Sequence, residues 1–288
     1  MNNQTQSSQE QPQNQSALGI IVHSFFVIPF LIAVFAILLF VAVRLLTLEK
    51  HTVYDYLNDV KVGSLNKRWQ AAFELSKILA NPSLIPQEER FTAEMMNAFE
   101  ASRSDDPRVR QYLALAMGRT GNPVFVRPII EVLPQEKEEN LFALIYALGM
   151  LRSPPANDVL YPFLNHGNPK VRLATVIALG NIGHEKSLSF LKKALHDPEP
   201  NVKWDAAIAL AKMKDLAGKS VLLNLLHREY LTEFPEVDLH ERDHIIMVVI
   251  EVAKDLHDPD IAKAMTYLSK NDANMDIRKA AMAALNSQ

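Results

Sequence analysis

The chain has no cysteine and only nine glycines in 288 residues. The first absence excludes disulfides and thiolate metal sites. The second, set beside plentiful Ala, Leu, Glu and Lys, suits helices. No run of lysine or arginine stands out and the net charge is −3, so nucleic-acid binding has no electrostatic footprint. No phosphate-binding loop, dinucleotide fingerprint or Ser-His-Asp arrangement occurs. Charge is missing altogether from Ala17 to Val43, which reads ALGIIVHSFFVIPFLIAVFAILLFVAV.

Those 27 residues as a helix outreach a ~30 Å hydrocarbon core. A signal peptide wants a basic start and a shorter apolar run, and neither is present. A helix buried in a core rarely stays uncharged this long. Residues 17–43 therefore read as a transmembrane helix, with Pro29 removing one helical hydrogen bond. No Lys or Arg precedes the span, whereas Arg44, Lys50 and Lys61 follow it. The positive-inside rule then puts the N-terminus outside and the C-terminal part in the cytoplasm, at the inner membrane if the source is bacterial. Residues 1–16, rich in Gln, Asn and Ser, read as a disordered polar tail. Residues 44–63 read as a juxtamembrane linker, helical as it leaves the membrane, with Gly63-Ser64 as stop and new cap.

From residue 64 a phrase recurs at a step of 31: Ala116-Met117-Gly118, Ala147-Leu148-Gly149, Ala178-Leu179-Gly180, Ala209-Leu210-Ala211. Arg110, Arg172 and Lys203 share a column in which Leu141 is the exception. Leu133, Leu164, Leu195 and Leu226 keep the same step. A fixed period of this size marks stacked repeats. Signature helices are predicted over 68–79, 107–119, 138–151, 169–182, 200–213, 241–256 and 275–286, the last capping the array. Partner helices are predicted near 124–133, 156–165, 186–196, 217–228 and 259–270. Pro128 and Pro162 fall inside partner helices and imply kinks or late starts. The period is broken by about eleven residues twice, around Pro82–Pro86 and at 228–238.

Asp106-Pro107-Arg108-Val109-Arg110 through Gly118, and Asn168-Pro169-Lys170-Val171-Arg172 through Gly180, resemble the short HEAT repeat named after phycobilisome lyases. Unit three departs from that pattern, with Asn140 and Leu141 in place of Val-Arg. The resemblance implies an all-α fold: a right-handed α-solenoid of about five and a half HEAT-like helix pairs over 64–288, preceded by the transmembrane helix. It also implies signature helices lining the concave side and a role in docking. A helix pair cannot bury its own apolar stripe, so stacking makes one continuous core. The Arg column is expected to be structural, pairing with acids or carbonyls at the turns.

Two columns that are usually polar in such repeats are apolar here. One holds Trp69, Gln111, Phe142, Leu173, Trp204 and Ile246; the other Phe73, Leu115, Tyr146, Ile177, Ile208 and Ile250. Residues four apart share a helix face. Two readings stand: an exposed ridge that binds a partner, such as an amphipathic helix or a membrane-complex subunit, or ordinary core. The ridge reading takes Trp69, Phe73, Leu115, Phe142, Tyr146, Leu173, Ile177, Trp204, Ile208, Ile246 and Ile250.

His240-Glu241-Arg242-Asp243-His244 matches H-E-x-x-H, but charged residues stand between Glu and the second His, and Glu251 and His257 are only nominal third ligands. His184-Glu185 is the other His-Glu pair; HEAT-like deoxyhypusine hydroxylases use several such pairs for iron, and two at unrelated repeat positions do not rebuild that site. The sequence thus points to a membrane-anchored, non-catalytic scaffold that docks a protein partner, with no cofactor, metal, nucleic acid or small-molecule substrate. The alternative is a bilin-lyase-like or metal-dependent enzyme on the same fold.

Overall fold

The computed structural model describes residues 23–47 and 51–287, which fall into two compact units, one ending at His51 and one beginning at Thr52. Within the first, a short π-helical turn His23–Val27 leads into α1, Ile28–Thr47. Its segment Phe25–Arg44 is long and apolar enough to cross a membrane, and none of it is buried. The predicted tail 1–16 and the start of the predicted span, 17–22, lie outside the described residues.

The second unit is an α-solenoid, and no strand occurs among the described residues. Its signature helices are α3 (Leu65–Ile78), α5 (Pro107–Arg119), α7 (Glu138–Leu151), α9 (Pro169–Ile182), α11 (Pro200–Lys212), α14 (Leu239–Ala253) and α16 (Met275–Asn286). The spacing predicts each of these to within a few residues. Between them run α4 (Glu89–Ala101), α6 (Val126–Val132), α8 (Asn157–Leu160), α10 (Leu188–Ala194), α12 (Lys219–Leu225), α13 (Arg228–Leu231) and α15 (Pro259–Asn271). The Asp/Asn-Pro turns do what their chemistry suggests. Asp106, Asn168 and Asp258 each accept a hydrogen bond from the backbone N–H two residues on, with Pro at the first helical position.

Each of α3, α5, α7 and α9 packs on the next signature helix. The Ala-x-Gly phrase explains how closely. A Cβ added at Gly118 would stand 2.9 Å from the Cα of Ala147, and one at Gly149 2.7 Å from the Cα of Ala178. The glycine of one unit thus receives the alanine of the next, and the repeat propagates itself. This sandwiching also covers α7, which is apolar nearly all round.

The prolines resolve as late starts and tight turns. In the second unit a 3-10 turn at Pro123–Phe125 precedes α6, so Pro128 sits in the first α-turn, where its missing N–H has no partner to lose. The α8 helix ends after four residues and Pro162 lies in a 3-10 stretch, Tyr161–Asn165. The segment 44–63 differs from its reading as a linker. It contains α2 (Val53–Val62), whose Val53, Leu57 and Val60 are buried and which packs on α3 and α4. Thr52 and Asp55 form a capping box that fixes where it begins. The apolar stripe at 53, 57 and 60 carries this, and the charges between hide it from a repeat-based reading.

The Arg column is structural. Arg110 is buried and pairs with Glu136, donating also to the carbonyl oxygen of Phe99 at 2.8 Å. Arg172 holds both oxygens of Asp197 at 2.8 and 2.9 Å. Arg68 reaches Asp105 at 3.0 Å. The acid always comes from the turn leading into the next signature helix. Where Leu141 replaces the arginine, that next turn carries His166-Gly167 and no acid.

Candidate functional site

The apolar columns of the signature helices divide in two. Along α3 to α9 they stay open: Phe142 is 45% and Phe73 36% exposed, and Trp69, Leu115, Tyr146, Leu173 and Ile177 are half-buried. Phe142 and Tyr146 lie parallel, 6.1 Å apart, one helical turn separating them. Phe73 meets the edge of Tyr112 on the neighbouring helix at 5.1 Å. The Arg108 guanidinium lies 4.3 Å over the Trp69 ring.

The rest of the ridge is core, which corrects the expectation that all eleven residues form one surface. Trp204, Ile208, Ile246 and Ile250 are buried. For Trp204 the cause is the off-period segment 228–238, which folds over α11. Phe234 packs edge-on against Trp204 at 4.8 Å, Tyr230 stands at 6.3 Å from it, and the Trp204 indole N–H meets the Tyr230 hydroxyl at 3.3 Å. Val237 is buried beside them, and Arg228 is tied to Asp243 and Asp272. The strip therefore runs from Trp69 to Ile177 and stops at an aromatic wall.

Two residues of this face escaped sequence reasoning, Tyr112 and Asp205. Both stand in the column that reads Gln70, Tyr112, Ala143, Ala174, Asp205 and Met247. An aromatic ring or a carboxylate flanking two alanines was the available signal. Asp205 occupies on α11 the place that Tyr112 holds on α5, and the residue equivalent to Phe73 on the preceding helix is Ile177. Burial pushes the Asp205 carboxyl up to about 6, although Lys212 pulls it partly back. It is a group that exchanges a proton near neutrality.

The carboxylates of the Arg column behave oppositely. Burial would raise Glu136, but hydrogen bonds from Asn140 and Arg110 outweigh it and hold it below its usual range. Burial is likewise outweighed at Asp197 by Arg172 and the backbone N–H of Glu199. Such groups stay ionised and are structural.

The His-Glu motifs are placed for caps and surfaces. His184 accepts the backbone N–H of Lys186 through Nδ1 at 3.2 Å and starts a 3-10 turn. His240 and His244 are exposed on the first turns of α14. Asp243 is held by Arg228 at 2.7 Å and by Asn274 at 2.7 Å. Glu251 pairs with Lys254, and His257 is exposed in the turn beyond. Among the described residues no group of three or more His, Asp or Glu could hold a metal ion.

Comparison with known proteins agrees with the architecture. Residues 157–232 match the family model of HEAT repeats. The complex of CpcE and CpcF of phycocyanin lyase from Nostoc is similar in fold, with TM-score 0.58 and 19% identity, over 84% of this chain and 96% of that one. Deoxyhypusine hydroxylase-B of rice, Oryza sativa subsp. japonica, is 24% identical over 149 residues, 51% of this chain. The chain spans about half the length of that curated relative, 49% of it. Both relatives are named as enzymes, and this overturns the expectation of a non-catalytic scaffold and of a chain that is no enzyme.

Proposed function

We propose that this HEAT-repeat protein is an enzyme component of the chromophore-lyase kind, in which the strip from Trp69 to Ile177 receives a flat, conjugated, bilin-like ligand and presents it to an acceptor protein. The observation that carries this reading is the strip itself: an open run of aromatic and aliphatic side chains, walled at one end by α11, the helix that carries Asp205 with its carboxyl raised to about 6. Apolar lining with few polar groups is what a cofactor-sized ligand needs. Parallel rings such as Phe142 and Tyr146 suit stacking on a conjugated system. Asp205 is the polar group, able to accept from pyrrole N–H donors when ionised and to supply a proton when not.

The chain has no cysteine, so it offers no thiol of its own. In this reading the thiol belongs to the acceptor. It adds across a ligand carbon–carbon double bond: a carbon–sulfur bond forms, the double bond is consumed, and the thiol proton ends on the adjacent carbon without any oxidant. A second HEAT-like chain is the partner this reading calls for, since the similar solved assembly is a complex of two chains. The membrane reading belongs here too: α1 spans the bilayer, with the N-terminus outside and the solenoid in the cytoplasm, supported by Arg44, Lys50 and Lys61 following the span.

Titration of the purified full chain with an open-chain tetrapyrrole, followed by visible absorption, tests the reading. A red shift that saturates in the micromolar range is expected, weakened at least about tenfold by Phe142→Ser with Tyr146→Ser, the loss of two stacked contacts. No spectral change, or one indifferent to those substitutions, overturns it. His240→Ala with His244→Ala is expected to leave binding unaltered.

A further inference from the structure

We propose that the edge of the solenoid where the signature helices end lies against anionic phospholipid headgroups. This rests on the membrane reading above and adds which surface faces the lipid.

Three observations converge. The first is a row of cations. Arg119 closes α5, Arg152 follows α7, Lys186 lies in the turn after α9, and Lys212 and Lys214 end α11. None of the five pairs with a carboxylate among the described residues. Arg119 donates to the carbonyl oxygen of Ser76, and Lys212 to Asn181 at 3.1 Å. Arg119, Arg152, Asn181 and Ala80 line one open cavity of about 510 Å³ along this edge. Between α5 and α11 the acids on this edge without an ion pair are Asp158 and Glu185, fewer than the five cations, while Glu88 and Glu89 lie nearer the end of α3. At the other edge Arg68, Arg110 and Arg172 are each neutralised by a carboxylate, and Lys137 and Lys170, which carry no ion pair, share that edge with Glu138, Glu139 and Glu199. An unneutralised row stands out in a chain of net charge −3.

The second is backbone strain at the same places. Just past the signature helices, Gly121, Arg152, Gly183, Lys214 and His257 all have positive φ, at 64°, 50°, 68°, 60° and 46°. Glycine is the unstrained residue for such a helix end. Arg152 and Lys214 hold long cations in that strained conformation, with no ion pair among the described residues in return.

The third is where the chain enters. The α2 and α3 helices are joined by a tight turn at Gly63-Ser64 and pack on one another, so they run antiparallel. Thr52, at the start of α2, therefore lies at the edge where α3 ends. The Tyr54 hydroxyl confirms it by bonding Glu88, in the connection after α3, at 3.0 Å. The cationic edge is thus the edge at which the second unit begins, at Thr52. The surface potential of an anionic leaflet attracts such cations over about a Debye length, each worth roughly fivefold in the docked population.

Because the chain has no cysteine, one introduced thiol labels it uniquely. The full chain is labelled at Ala80→Cys on this edge, or at Asn165→Cys on the other, and reconstituted in nanodiscs containing a headgroup spin-labelled lipid. Quenching of the Ala80→Cys fluorophore is expected in phosphatidylglycerol-containing discs. It should fall sharply in ~0.5 M salt or in neutral discs, with the Asn165→Cys label unaffected throughout. Arg152→Gly with Lys214→Gly removes two charges and relieves the strain, so folding is safe; it should lower the docked ratio roughly 25-fold. Quenching that is equal in neutral and anionic discs, or indifferent to the double substitution, overturns the inference. Alkaline carbonate extraction separates the two levels. A chain that stays in the pellet but shows no quenching keeps its anchor and loses this contact, whereas a chain that is extracted loses both.

Discussion

The smallest side chains set the spacing of the stack. Gly149 lets the backbone of α9 approach so closely that a single methyl group would stand 2.7 Å from Ala178. Overpacking of this kind costs about 1–3 kcal/mol, so Gly149→Ala is expected to lower the urea midpoint while Gly167→Ala, which meets nothing within 4 Å, should not. Charge works in the opposite sense in the Arg column. Removing Glu136 leaves Arg110 buried beside a carbonyl and a hydroxyl, and Glu136→Leu is expected to cost roughly 3–5 kcal/mol. Asp205 adds a pH dependence of its own. Its folded pKa, about 6, lies above the unfolded value of about 3.9. The contribution is favourable below the unfolded pKa and is lost as pH rises through 6. Asp205→Asn should therefore stabilise the protein at pH 7.5 and have little effect at pH 3.5, in paired denaturant titrations. Glu136 and Asp197, both depressed, act conversely: their stabilisation is present at neutral pH and drains away as pH falls through their folded values.

At the scale of elements, periodicity carries far and then stops. Signature helices were legible because capping residues, apolar spacing and the 31-residue step all point to the same boundaries. The α2 helix was not, since it belongs to no repeat and its role as a cap on α3 arises only from packing. The open strip was legible as a pattern but its end was not. Whether Trp204 faces solvent depends on where residues 228–238 travel, and no local signal in α11 encodes that. Asp205 was missed because a lone carboxylate in a helix reads as a solvated position. The segment Tyr230–Val237 can be tested as a cover. In a Trp69→Phe background Trp204 is the remaining tryptophan. Tyr230→Ser with Phe234→Ser should red-shift its emission and make it accessible to acrylamide while far-ultraviolet helicity persists. An unchanged spectrum would mean that Trp204 is sealed by its own stack and that the segment contributes nothing.

For the solenoid as a whole, stability is a sum of neighbour terms, and the terms are unequal. The buried apolar residues form two clusters, one running from Val53 to Leu210 and one from Trp204 to Ala284, with α11 contributing to both. Between α11 and α14 Ala211 stands where earlier units carry the glycine of the close Gly-Ala contact, and the packing there is sparser. A quasi-linear stack opens first at its weakest junction. The C-terminal block, residues 214–286, is accordingly expected to exchange its amide hydrogens as one cooperative unit, at a lower opening free energy than α5, α7 and α9. Ile246 is fully buried in that block, and Ile246→Ala should cost about 2–5 kcal/mol there. Native-state hydrogen exchange distinguishes the alternatives. Acceleration confined to 214–286 marks a separable block held on by α11, whereas equal acceleration in α5 and α7 would mean that the unit unfolds as one body and that the junction transmits as much stability as any other.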